Sequence, residues 1–142
     1  MILKNILTLV VSLSFLSAPA ISFADKGQHP IDKAEEQCLS KNSTTAGMCN
    51  CTYAAQVKWD EEMNKYYLLL IKKLNKEEGL KLKEAQRAWI KFRDKEFEFI
   101  NTRYLEPFEG ALYQTIAADE AMEVVKARAL DLQTHYDILK DQ

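Results

Sequence analysis

The strongest constraint on the fold lies near the C-terminal end, where Met122, Val125, Ala129, Leu132, Tyr136 and Leu139 recur at spacings of three and four. At 3.6 residues per turn, that alternation returns each side chain to one side of a helix. Sustained for about three heptads, it is an a/d seam, and a seam of this kind requires a second helix to bury it. The rest of the chain offers little to interrupt helices: four glycines and three prolines occur in 142 residues. No alternating apolar/polar run of strand length is present, so sheet packing is excluded and helix-on-helix packing remains.

The breaks follow from turn chemistry. Ile31 to Lys41 reads as a short helix, followed by the polar loop Asn42-Ser43-Thr44-Thr45. A long helix is expected from about Ala46 to Asn75, with Val57, Asn64, Tyr67, Ile71 and Leu74 as its inward stripe. Asn75 followed by Glu78 has the form of an N-cap with its capping-box acid, so a new helix starts there. That helix is expected to reach about Glu106, with Ala85, Trp89, Phe92, Phe99 and Ile100 inward, before Pro107 stops it. Residues 106–110 then form a break. The expected fold is an all-α, disulfide-stapled bundle of three long helices plus a short N-terminal helix.

The first residues carry a different signal. Lys4 precedes an apolar run from Ile6 to Leu16, and small residues ending in Ser22-Phe23-Ala24 follow. This is the layout of a secretory signal peptide over residues 1–24, leaving 25–142 as a single helical domain. A transmembrane anchor would need about 20 apolar residues, and Ser12, Ser14, Ser17 and Pro19 interrupt this one. The protein is therefore expected to be periplasmic or secreted, without a membrane anchor once the signal is cleaved. Cleavage would also remove Lys4 and shift the formal net charge from −2 to −3. A mildly acidic chain argues against nucleic acid as a partner.

An exported compartment favours disulfides, and three cysteines leave one thiol over. On a helix, Cys49 and Cys51 would point about 200° apart and would not pair with each other. Cys38 is then left to bond one of them. A metal at Cys49-Asn50-Cys51 would need further ligands, and His29 and His135 are the only histidines. Neither sits in a metal-ligand or catalytic motif, and no phosphate-cradling glycine loop or nucleophile elbow occurs. The runs Asp60-Glu61-Glu62, Glu77-Glu78 and Asp119-Glu120 read as solvated charge. No cofactor, no metal and no catalytic residue is expected; the chain reads as a binding protein rather than an enzyme. Asn42-Ser43-Thr44 and Asn50-Cys51-Thr52 fit the glycosylation pattern, which matters only in a host that glycosylates.

The unusual stretch is Leu82 to Asp94, in which Gln86, Trp89 and Arg93 share a helical face and Asp94 follows. Polar groups on such a face must be satisfied where they lie, by the fold or by a ligand. Asn64 stands on the expected inward stripe of the preceding helix. It is positioned to accept from Arg93 or to donate to Gln86, which makes Asn64, Gln86, Trp89, Arg93 and Asp94 a candidate polar network, read as an internal clamp between helices.

Taken together, Cys38, Cys51, Met63-Asn64-x-x-Tyr67, Leu82-x-x-Ala85-Gln86-x-Ala88-Trp89-x-x-Phe92-Arg93-Asp94 and Arg128 resemble the lysozyme inhibitor LprI N-terminal-domain family of small exported bacterial proteins. The resemblance spans about residues 35–135. It implies a Cys38–Cys51 bridge and leaves Cys49 as the free thiol. The second bridge common in that family is missing, because Phe97 stands at its first position and no later cysteine exists. The family's Gly-Gly-Ser turn is replaced by Glu109-Gly110-Ala111. The resemblance implies a protein partner, a lysozyme, that is bound and blocked, with Phe108 and Glu109 in the 106–113 loop as the candidate contact. The alternative is a periplasmic helical binding or adaptor module for another envelope protein, without enzymatic activity.

Overall fold

The computed structural model describes residues 27–107 and 110–140, which form four α-helices and no strand. These are α1 (Pro30–Leu39), α2 (Thr45–Lys73), α3 (Lys76–Ile100) and α4 (Ala111–Lys140). The expected signal peptide over 1–24 lies outside the described residues. Among the described helices none is long and apolar enough to cross a membrane.

Local chemistry sets the boundaries. Pro30 occupies the first turn of α1, where a missing N–H costs nothing, and His29 Nδ1 accepts from the Ile31 N–H at 3.2 Å. Thr44 caps α2 by accepting from the Gly47 N–H at 3.1 Å. Gly47 makes that close approach possible, since a Cβ there would lie 2.9 Å from Thr44 Oγ1 and 3.0 Å from Asn42 Cβ. The capping box of α3 is complete: Asn75 Oδ1 accepts from the Glu77 and Glu78 N–H groups, and Glu78 accepts from the Asn75 N–H. The third helix does continue beyond Ile100, but as a wider π-turn over Asn101–Leu105, in which the Glu106 N–H donates to Asn101 C=O at 3.2 Å.

The core is a seam between α2 and α4, the most extensive helix pairing in the structure. Trp59, Met63, Tyr66 and Leu70 of α2 interlock with Met122, Val125, Ala129 and Leu132 of α4. The expected face of α4 is therefore the observed one. On α2 the buried row is displaced by one position along the sequence. Val57 is 57% exposed and Asn64 is exposed, whereas Trp59 and Met63 are buried. The row at 52, 55, 59, 63, 66 and 70 carries the larger side chains, and burying a Trp and a Tyr removes more apolar area from water than burying Val57 and Ile71 would.

Cys38 of α1 is bonded to Cys51 of α2, with 5.6 Å between their Cα atoms. The bridge ties α1 onto α2, and Asn42 seals the junction by donating to Cys38 C=O at 2.8 Å. Closing a loop of this length contributes about 3 kcal/mol in the chain-entropy account. Cys49 is the free cysteine among the described residues, and it is buried.

The third helix is the least covered. Gln86 and Ile100 are its buried residues, and it packs more against α4 than against α2. Phe92 and Phe99, expected inward, keep 53% and 55% of their surface in contact with solvent, and Ala85 is exposed. Because α2 and α4 already fill each other's apolar faces, α3 can only lie along the side of the pair. Truncating Leu132 to Ala should therefore cost about 2–5 kcal/mol of unfolding free energy in urea titration. Phe92→Ala should cost no more than roughly 0.5–1 kcal/mol although its sequence pattern marks it as core.

Candidate functional site

The conspicuous segment of α3 packs Leu82 and Trp89 against the core and makes its polar contact with the rest of the fold through one side chain. Gln86 reaches both neighbours: its Nε2 donates to Met63 Sδ of α2 at 3.5 Å, and its Oε1 accepts from Arg128 Nε of α4 at 3.0 Å. Arg128 also pairs with Asp131 one turn further on. Gln86 is 8% exposed, so its amide has left water and depends on these partners. This tie holds α3 against the α2–α4 pair.

Asn64 does not take part in it. Its side chain is exposed and donates to the C=O and Oδ2 of Asp60, both at 2.9 Å, on its own helix. The one-position displacement of the buried row of α2 turned Met63 inward and Asn64 outward. Arg93 likewise engages its neighbour: its guanidinium bonds Asp94 Oδ1 at 3.0 and 2.7 Å and lies over the rings of Trp89 and Phe97 at 5.5 and 5.9 Å. The expected network of Asn64, Gln86, Trp89, Arg93 and Asp94 thus separates into a buried tie through Gln86 and a solvent-facing arginine cluster. Arg128 supplies the partner expected of Asn64 or Arg93. Its position directly before seam residue Ala129 is the sequence signal for it.

Two grooves flank α3. Asp60, Asn64, Tyr67, Lys83, Arg87 and Arg93 line the one toward α2, a polar trough with three cations. The groove toward α4 has an apolar floor of Trp89, Phe92, Ile100, Val124 and Ala127, with carboxylates along its rim. Phe108 and Glu109, expected as partner contacts in the loop that joins α3 to α4, lie outside the described residues.

The opposite side of the pair holds a second polar assembly that the sequence did not announce. Lys126 of α4 bonds Asp32 of α1 at 3.0 Å and Glu123 at 3.0 Å, and lies over the Trp59 ring at 5.7 Å. His29 stacks on the same indole with ring centroids 4.3 Å apart, so it belongs to a packed junction. Removal from water is the largest influence on the Lys126 ammonium and opposes its charge, but the bonds to Asp32 and Glu123 outweigh it and raise its pKa. The Glu35 carboxyl is raised above its ordinary 4.5, first by desolvation and then by Asp119 and Asp32, against a lowering hydrogen bond from Thr52 and the attraction of Lys126. Among the described residues no group of His, Cys, Asp or Glu is arranged to hold a metal ion.

A family model described as lysozyme inhibitor LprI matches residues 37–132. No curated protein matches the chain. Among solved structures, it is similar to the crystal structure of an uncharacterized protein from Burkholderia thailandensis, at 31% sequence identity and a TM-score of 0.76. That match covers 81% of this chain and 57% of the other, so this chain spans little more than half the length of that protein.

Gln86→Ala should destabilise the protein by about 1–3 kcal/mol, because it leaves a partly buried guanidinium without its acceptor. Arg93→Ala, which removes an exposed pair, should cost no more than about 1 kcal/mol; chemical denaturation of both variants checks the difference. At the α1 junction the folded state holds the Glu35 proton more tightly than the unfolded chain does. Its contribution to stability is therefore complete below the ordinary carboxylate value and is lost as pH rises through the raised one. Glu35→Gln should flatten that decline and raise stability at neutral pH, as read from thermal melts across the acidic range.

Proposed function

The chain belongs to the lysozyme inhibitor LprI family, and on that premise we propose that it is an exported envelope protein that binds a muramidase and blocks it. The observation that carries this reading is the extent of the family match. Residues 37–132 take in the Cys38–Cys51 bridge, the Gln86–Arg128 tie and the whole of α2 and α3. The disulfide accords with an oxidising compartment outside the cytoplasm. A formal charge of −2 favours encounter with a cationic enzyme, as lysozymes commonly are.

Blocking a polysaccharide-cleaving enzyme requires a segment that enters its sugar-binding cleft. The loop joining α3 to α4 is the proposed segment, with Phe108 as the inserted side chain and Glu109 as a polar contact beside it. The bundle's part is to hold the two ends of this loop, at the π-turn and at Ala111, in fixed register.

A lysis assay with the processed protein in molar excess tests the proposal. Cell-wall clearing by a susceptible lysozyme should slow in proportion to added protein, and Phe108→Ser should relieve the block without lowering the melting temperature. Undiminished lysis with several lysozyme types would refute the reading. Recovery of a different envelope protein by pull-down would instead favour an adaptor role.

A further inference from the structure

Trp89, Phe92 and Phe99 on α3 have the spacing of a core face, yet only Trp89 packs against the core, and Phe92 and Phe99 stay more than half exposed. Neighbouring large apolar side chains left in water are uncommon on monomers and mark contact sites. Here Trp89 and Phe92, with Ile100, form the α3 wall of a groove about 550 Å³ in volume, whose α4 wall is Val124 and Ala127.

The rim of this groove carries four carboxylates against one cation. Glu96 rises from α3, and Glu120, Glu123 and Asp131 rise from α4. Glu123 and Asp131 share the cations Lys126 and Arg128. Glu96 and Glu120 form no salt bridge among the described residues; Glu120 accepts from the Tyr104 hydroxyl at 2.6 Å and attracts Arg103 from further away. Arg128 is the sole cation in the lining, and Gln86 and Asp131 already occupy it. An apolar floor beside Glu96 and Glu120, neither of them held in a salt bridge, suits one kind of visitor.

The geometry points to this groove as the docking surface for a cationic segment of another protein. An aliphatic or aromatic side chain would rest on Trp89 and Phe92, with flanking Arg or Lys reaching Glu96 and Glu120. A second copy of this chain fits poorly, because a two-fold contact through the groove would set acidic rim against acidic rim. The inference deepens the binding role proposed above by placing the contact surface beside the α3–α4 loop, and it rests on that role for its protein partner.

The test titrates the processed protein with two probes, a cationic lysozyme and a short Arg/Leu-rich peptide. Trp89 emission reports occupancy of the groove, since Trp59, the other tryptophan, is fully buried. Phe92→Ala and Glu96→Lys should each weaken binding about tenfold or more at an unchanged melting temperature, and added salt should weaken the wild type. Wild-type affinity in both variants would overturn the groove while leaving inhibition standing. Peptide binding that both variants lose, without lysozyme binding, would uphold the groove and sink the muramidase reading. Failure of both probes to bind would overturn the groove, as would a wild-type dimer in sedimentation that Phe92→Ala dissolves.

Discussion

The packing of α2 against α4 is the constraint on which every other contact depends. Trp59, Leu70, Met122, Val125 and Leu132 are the large side chains taken wholly out of water, and all lie on this one seam. At roughly 1.5–3 kcal/mol per large apolar side chain, the seam dominates the favourable side of folding. Two helices that saturate each other leave only their flanks for the other two. The short α1 takes one flank and needs a covalent bond to stay there, together with the Asp32–Lys126 pair and the His29–Trp59 stack. The long α3 takes the other and is held by a polar tie together with a narrow apolar line of Leu82, Trp89, Phe97 and Ile100.

That division explains why the recognisable segment of α3 serves two purposes. Gln86 is structural, because its amide has no water and has two partners on two helices. Trp89 and Phe92, three and six residues further on, face the groove toward α4. A helix attached by a narrow line of contacts can present apolar side chains outward without unfolding the pair beneath it. The cost is exposed aromatic surface, which a binding protein recovers when its partner covers it.

Much of the fold was legible from the residues. Asn75 with Glu78, and Pro107, mark helix boundaries by mechanisms that operate within a few residues, and the structure follows them. The seam of α4 was also legible, because its three-four spacing has no rival along that helix. The faces of α2 and α3 were legible only in part: Tyr67, Leu74, Trp89 and Ile100 do turn inward, whereas Val57, Asn64, Phe92 and Phe99 do not. On α2 two apolar rows compete, one through Val57, Tyr67 and Ile71 and one through Trp59, Met63, Tyr66 and Leu70, and periodicity alone does not rank them. The candidate network suffered from the same ambiguity: with the rows exchanged, Met63 replaced Asn64 beside Gln86, and Arg128 became the charged partner. The junction of Asp32, Glu35, Lys126 and Trp59 draws on three helices, so no local window of sequence contains it.

Where helices start and stop, which face of α4 is buried and, through its motifs, the family to which the chain belongs can all be read from the residues alone. These rest on short-range hydrogen bonding and on a single unrivalled period. Tertiary packing settled which row of α2 is core, that Gln86 answers Arg128, and that Phe92 and Phe99 of α3 stay in water while Trp89 packs inward. The physical reason is competition for limited apolar surface: α2 and α4 bury each other first, and the remaining helix keeps whatever face the winners leave uncovered.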